Sequence, residues 1–423
     1  MSRSGHRVEL TRREFLGGAT ALGLPTVLES SIAWAQKPAI RLAFIGPLTG
    51  GTASNGLGGR NSFLLAVQER NADPRTKYTY ETEVLDDECK PTVAVQAALK
   101  ASSDPAIVAG VTHYCSVTAI ATVDTYHKAG MPAMVWGAVL PEITYSHTYV
   151  EITRVNGTMI NQNNVAADFA VRTLGFKTFA LIHDTTDYGR AHAKWFGEFL
   201  DKAGGKVLST QGTAKDQKDY TAELTRAKAD RPEVVWYGGL TPDGVRVRVQ
   251  MDKLGVRAQF QGTSGIKSDT FNETAGPSAE GTLAFVEGAP TEKLPGGKRF
   301  LEAYAKAAFK EPSEAYGPFA YVAANLVIDA IEAVGPDRAK VAARLKRTKN
   351  PTTIIGPVEF DEYGQNTVSL ISKYVSQDGK WVLWEDWSTP PVSARCPVTS
   401  SRRCSRRAGC RPSSSSSSRR GTA

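Results

Sequence analysis

Between residues 39 and 255 short apolar runs alternate with amphipathic stretches, and the alternation runs through two successive series. In the first, "AIRLAFIGP" reads as a buried strand closed by a Gly-Pro turn, and "NSFLLAVQERN" carries a helical period. "YETEVLDDEC" and "TVAVQAALKAS" repeat the pair, as do "AIVAGV" and "SVTAIATVDTYHKAG", with Gly130 as a helix stop; "MPAMVWG" is a further strand. The second series holds "TFALIHD" with "GRAHAKWFGEFLDKAGG", then "EVVWYGG" with "DGVRVRVQMDKLG". Strand-helix alternation with short connections predicts parallel sheets flanked by helices, an α/β class. Two series predict two doubly wound parallel-sheet lobes.

In such sheets the loops beyond the strand C-terminal ends form the ligand crevice. Here they read "GPLTGGTASNGLGG", "HYCS", "WGAVLPE", "HDTTDYG", "YGGLTPDG" and "GTSGIKSD". All are small and polar, and glycine lets a backbone approach a ligand closely. Ordinary turn chemistry accounts for most of these glycines singly. Their concentration at one set of strand ends in both series points to a cleft site.

The formal charge of +8 suggests a nucleic-acid partner until it is located. Residues 393–423 hold eight arginines and no Lys, Asp or Glu, and residues 1–35 carry a net +1, so the body between is near neutral. A basic nucleic-acid-binding face has no support. The tail "SARCPVTSSRRCSRRAGCRPSSSSSSRRGTA" lacks any helical or strand period and is expected to be disordered. A basic tail touching anionic lipid is the functional alternative.

The opening "TRREFLGGATALGLPTVLESSIAWAQ" pairs Arg12 and Arg13 ahead of Phe15 and Leu16, continues weakly apolar, and closes on Ala33-Trp34-Ala35. This resembles a twin-arginine export signal with cleavage after Ala35, residues 1–35 being the signal; a surface helix with two basic residues is the alternative. The run is too short and glycine-rich for a bilayer span, and no later stretch reads as one. The expected location is the periplasm.

Catalytic motifs are thin. "LPGGKRF" has the wrong spacing for a phosphate loop, "GLGGRN" fails the dinucleotide fingerprint, and "GTSGI" is no nucleophile elbow. No H-E-x-x-H or C-x-x-C occurs, so no compact metal site is expected. His183, at a strand end, reads as a structural hydrogen-bonding residue. The expectation is no enzyme, no cofactor and no metal.

From Lys37 to about Trp387 the chain resembles the leucine/isoleucine/valine-type periplasmic substrate-binding proteins of ABC importers, which have the type I periplasmic binding fold. The segments that carry the likeness are "AFIGPLTG", "LGGRNSFLLAVQERN", "LDDECKPTVAVQAA", "GVTHYCS", "LPEIT", "ALIHDTTDYGR", "DQKDYTAELTRAKADRPEVVWYGG", "AEGTLAF" and "IIGPVEFDEYGQN". The resemblance implies two lobes joined by three hinge crossings, with the ligand between them. The expected boundaries are 36–155 with 288–366 for lobe 1, 156–287 with 367–392 for lobe 2, and 393–423 as the tail. It implies a monomer that delivers a small solute, by default a branched-chain or other amino acid, to permease subunits at the inner membrane.

The family often links the positions of Cys89 and Cys115, so the resemblance implies that disulfide; two separate buried thiols are the alternative. It gives Ser116 the ligand α-carboxylate, a role compatible with a plain N-cap serine. It places Gly137 and Ala138 along the ligand and Tyr188 over it. Three positions depart from the family pattern: Val139 where a threonine helps hold the ligand, Leu240 where an aromatic stands, and Ser264 where an acid meets the ligand ammonium. An unpaired buried ammonium costs on the order of several kcal/mol. Either Asp187, Asp243 or Glu287 supplies the charge, or the ligand is an ammonium-free carboxylate or amide. Trp136, Phe319 and Tyr321 are candidates for an apolar wall, or else core. A periplasmic ligand sensor on the same scaffold is the rival function.

Overall fold

The computed structural model describes residues 37–367 and 370–386. All described residues except Lys37 belong to one compact unit, which begins at Pro38. The expected signal (1–35), the expected tail (393–423) and the last residues expected in lobe 2 lie outside the described residues.

Strands β1 (Ala39–Gly46), β2 (Thr79–Asp86), β3 (Ile107–Thr112), β4 (Ala133–Val135) and β5 (Ile152–Arg154) form one sheet in the order β2-β1-β3-β4-β5. Every neighbouring pair in it is parallel. All six residues of β3 are buried. That is why it reads as an unbroken apolar run: helices cover both faces of such a sheet. One core layer packs Phe44, Val111 and Trp136 against the helices Ala53–Ala72 and Gly317–Val334. The other packs Ala43, Ile45 and Val135 against Pro91–Ser103 and Ser116–Lys128.

The second sheet comprises β6 (Thr178–Asp184), β7 (Lys206–Thr213), β8 (Val234–Gly238), β9 (Gln259–Gly262), β10 (Leu283–Glu287), β13 (Ile371–Gln377) and β14 (Lys380–Leu383). Its order is β14-β13-β10-β9-β8-β6-β7. The strands from β7 to β10 pair in parallel, while β13 returns antiparallel to β10 and β14 antiparallel to β13. A separate hairpin, β11 (Lys349–Thr353) and β12 (Gly356–Glu359), completes the strands. We refer to each large sheet with its covering helices as a lobe.

Three stretches of chain run between the sheets, and they are laced together. Arg154 N–H donates to Gly364 O at 2.8 Å, Asn366 N–H donates to Arg154 O at 3.1 Å, and the Asn366 side chain donates to Val155 O at 2.8 Å. At the other end Gly288 N–H donates to Leu370 O at 2.7 Å, and Ser372 Oγ donates to Gly288 O at 2.8 Å. Arg154 lies fully buried beneath the join, its guanidinium bonded to the Ala138 and Leu140 carbonyls, Thr144 and Gln365.

Two expectations need correction. The segment "ASNGLGG" is not loop: the helix starts at Ala53. Its glycines work against helix propensity, but packing requires them. A Cβ at Gly56 would overlap the Pro47 carbonyl, and one at Gly59 would lie 2.5 Å from the Trp136 ring. The helix Gly317–Val334 is also long and apolar enough to cross a bilayer by composition. Its apolar residues are instead buried against the helix Ala53–Ala72 and the first sheet.

Candidate functional site

The strand ends of both sheets converge on a cavity holding about 440 Å3 of empty space, part of it open to solvent. The first lobe contributes Cys89, Tyr114, Cys115, Ser116, Val117, Gly137, Val139 and Tyr316; the second contributes Asp184, Thr186, Tyr188, Lys215, Leu240, Ser264 and Gly265.

Cys89 and Cys115 are joined by a disulfide, with Cα atoms 5.5 Å apart. Cys89 sits in the turn after β2, and Cys115 is the N-cap residue of the helix Ser116–Lys128. Beneath the bridge Asp87 Oδ1 accepts Cys89 N–H at 2.8 Å, and Oδ2 lies 2.8 Å from His113 Nδ1. The far nitrogen of His113 is 2.8 Å from the Tyr126 hydroxyl. This buried chain of polar groups fixes the strand-end turns that carry the two cysteines.

Ser116 is the first residue of that helix and is 3% exposed. Its hydroxyl oxygen accepts the N–H groups of Val139 and Leu140, each at 3.2 Å. The serine proton is therefore left to donate to another acceptor. The first N–H groups of a helix lack intrahelical partners, and the dipole there is positive. No acidic side chain occupies the first turn. The wall at Ser116 thus suits a carboxylate.

The opposite wall comes from the second lobe. Tyr188, in the helix Asp187–Ala203, packs into a core cluster of the first lobe with Val139 and Leu140, and its hydroxyl lies 2.9 Å from Thr263 Oγ1. Burial pushes the Tyr188 phenol up, so it stays neutral. Leu240 touches core clusters on both faces of the first sheet. Ser264 lies 2.8 Å, oxygen to oxygen, from the Tyr316 hydroxyl, and Tyr316 also bonds Glu287. Lys215 reaches across to the Cys89 carbonyl at 3.4 Å.

Of the residues singled out in the sequence, Ser116, Gly137, Val139, Tyr188, Leu240 and Ser264 line this cavity. Ala138 and Phe319 do not. The Ala138 carbonyl is taken by Arg154 and Asn156, and Phe319 packs behind Tyr316 with ring centroids 5.3 Å apart. Trp136 is core against Phe44 and Tyr114, and Tyr321 bonds Glu69 away from the cleft. Among the candidate acids, Asp187 turns outward to Arg190. Asp243 pairs with Arg246 and fronts a neighbouring cavity. Glu287, 1% exposed, stands behind Tyr316.

Tyr114, Tyr316, Asp184 and Lys215 line the cavity without having been singled out in the sequence. Tyr114 had a signal, being the aromatic just before Cys115. Tyr316 had almost none, since it precedes a helix far along the chain. Asp184 Oδ1 accepts the N–H and hydroxyl of Thr186, and burial raises its carboxyl. Asp184 and Lys215 also line the neighbouring cavity, so they mark the junction between the two. Among the described residues no three His, Cys, Asp or Glu side chains group to hold a metal ion.

Comparison with known proteins bears on this site. The profile of a family described as "Periplasmic binding protein" matches residues 39–379. An amino acid binding protein of Pseudomonas aeruginosa is 29% identical over 375 residues, covering 88% of this chain and 99% of the relative. A leucine-, isoleucine-, valine-, threonine- and alanine-binding protein of the same organism is 31% identical over 329 residues, covering 77% of this chain and 86% of the relative. The crystal structure of a leucine-binding protein from Thermotoga maritima superposes with a TM-score of 0.75 at 24% identity, over 81% of this chain and 97% of that one.

Proposed function

Because this chain belongs to the periplasmic binding protein family, we propose that it is the extracytoplasmic substrate-binding protein of an ABC importer. It captures a small solute, by default a branched-chain or other amino acid, between its two lobes. The observation that carries this reading is the cavity between the strand ends of both sheets, with the Ser116 proton and a helix N-terminus on one wall. Relatives that bind amino acids match nearly the whole folded body, which supports the same ligand class.

The remaining parts of the proposal rest on the family and the sequence. Lobe 1 comprises 36–155 and 288–366, and lobe 2 comprises 156–287 and 367–392. The protein leaves the cytoplasm by the twin-arginine route, acts as a monomer, presents its closed form to permease subunits at the inner membrane, and performs no catalysis. The ligand contacts are Ser116, Gly137, Val139, Tyr188, Leu240 and Ser264.

A second reading has its own support. Ser264 offers a hydroxyl rather than a carboxylate at the cavity wall, which suits an ammonium-free carboxylate or amide. A thermal-shift screen across branched-chain amino acids, amides and aromatic acids separates the two. A ligand at 100 times its dissociation constant stabilises by about 2.7 kcal/mol. A shift with amino acids alone supports the first reading, one with aromatic acids or amides alone supports the second, and no shift with any of them removes both.

A further inference from the structure

A line of hydrogen-bonding groups runs from the cavity wall into the protein. Ser264, 2% exposed, lines the cavity, and its hydroxyl lies 2.8 Å from that of Tyr316. The Tyr316 hydroxyl bonds Glu287 Oε2. The other oxygen of Glu287 accepts the Gln162 side-chain N–H at 2.8 Å.

Counting protons along this line fixes what the ligand meets. An ionised carboxylate only accepts hydrogen bonds, and a phenol has one proton to give. With Glu287 ionised, Tyr316 must donate to Glu287. The Ser264 proton then points inward, toward Tyr316 and the ionised Glu287, which leaves the serine lone pairs for the cavity. With Glu287 protonated the order reverses: Glu287 donates to Tyr316, Tyr316 donates to Ser264, and Ser264 directs its own proton outward. The wall at Ser264 is an acceptor or a donor according to the state of the Glu287 carboxyl behind it.

The Ser116 wall supplies donors, and an acceptor wall at Ser264 completes the match to a zwitterion. We propose that Glu287 is a displaced counter-ion, which presents its charge to a ligand ammonium through Tyr316 and Ser264 and so selects α-amino acids. This deepens the reading of the cavity as a small-solute site and rests on it. Glu287 touches no ligand itself and acts as a positioning residue.

The arrangement makes the grip on ammonium depend on pH. Burial, opposed by the hydrogen bond from Tyr316, pushes the Glu287 carboxyl up to about 7. The titratable groups facing it are Tyr316, Tyr188, Tyr114 and Arg154. Burial raises all three phenols, and Arg154, though brought down to about 10, keeps its charge near neutrality. Glu287 is therefore the group of this set that changes state around pH 7.

The test is titration calorimetry on the full chain from pH 5.5 to 8.5. The probes are leucine, valine and alanine with their desamino counterparts 4-methylpentanoate, 3-methylbutanoate and propanoate. The expected result is amino-acid affinity that climbs by about tenfold per pH unit below pH 7 and levels above it. In Glu287→Gln the affinity falls by about tenfold or more at pH 8 and the slope vanishes. Tyr316→Phe and Ser264→Ala break the relay while keeping the carboxylate, and they flatten the profile in the same way. The desamino acids bind more weakly than the amino acids, with no rise toward high pH. The proposal falls if the variants keep the wild-type slope and affinity, or if the desamino acids bind as tightly. Leucine bound with the slope retained in every variant overturns the counter-ion alone; wild-type protein that binds none of the probes overturns the amino-acid reading as well.

Discussion

Val139 donates its backbone N–H to the Ser116 hydroxyl oxygen at 3.2 Å, tying the loop after β4 to the helix that follows β3. With Leu140 donating to the same oxygen, the serine holds its wall of the cavity in place and has its proton left to donate. Ser116→Ala is expected to weaken a carboxylate ligand by about 1.5–3 kcal/mol, the range for a hydrogen bond to a charged group. It also strands two buried N–H groups, lowering stability by about 1–3 kcal/mol. Calorimetry and urea unfolding measure the two losses separately, and unchanged affinity removes the contact.

The Cys89–Cys115 bridge closes a separation of 26 residues. In the chain-entropy account, such a loop contributes roughly 3–4 kcal/mol. Because Cys115 directly precedes Ser116, its loss reaches the binding wall too. The Cys89→Ser/Cys115→Ser double variant is expected to unfold at lower denaturant and to bind more weakly. Wild-type protein should lose stability on thiol reduction, and the double variant should not respond. Equal midpoints for the two proteins contradict this.

Glu314 sits between the lobes, 8% exposed, accepting from Ser54 of the first and from Asp269 N–H of the second at 3.0 Å. Burial raises its carboxyl to about 6. The native state therefore keeps a proton that the unfolded chain releases near its ordinary value, and stability falls as pH rises through this window. The expected loss is on the order of 2 kcal/mol, spread between about pH 4.5 and 6. Glu287 adds a loss of the same sign that extends toward pH 7. Glu314→Gln should flatten the lower part of the profile in urea unfolding from pH 4.5 to 7.5; parallel profiles would sink the assignment.

Two helical glycines should respond oppositely to alanine. At Gly197 the nearest heavy atom to a new Cβ, Leu181 Cδ1, is 4.0 Å away, so alanine fits. It should stabilise by about 0.5–1 kcal/mol through helix propensity. At Gly56 the new methyl would overlap the Pro47 carbonyl. That substitution should destabilise by about 1–3 kcal/mol as the backbone is forced apart. Thermal unfolding of both variants checks the signs.

The alternating pattern was legible because most strands are short apolar runs between longer helical periods. The α/β class and the two parallel-dominated sheets follow from it. What escaped it has physical causes. The strand Ile152–Arg154 is three residues long, and β7 is a half-exposed edge strand with little apolar signal. The start of the helix Ala53–Ala72 was masked by glycines that close packing demands. At the site, Ser116, Tyr188 and Ser264 come together as strand-end logic implies. Tyr316 arrives from a distant segment, and it bonds both Ser264 and Glu287. Phe319 lies in the helix that Tyr316 precedes, but its ring packs in the core rather than lining the cleft.

The lacing at the join restricts how the molecule can move. The returning segment is bound to the first passage through Arg154 and Asn366, and to the second through Gly288 and Leu370. Sliding or twisting one half against the other would tear both seams, whereas a swing about their common line leaves them intact. The jaws therefore behave like the covers of a book on a stitched spine. Their gape is then a single coordinate, one angle about that spine.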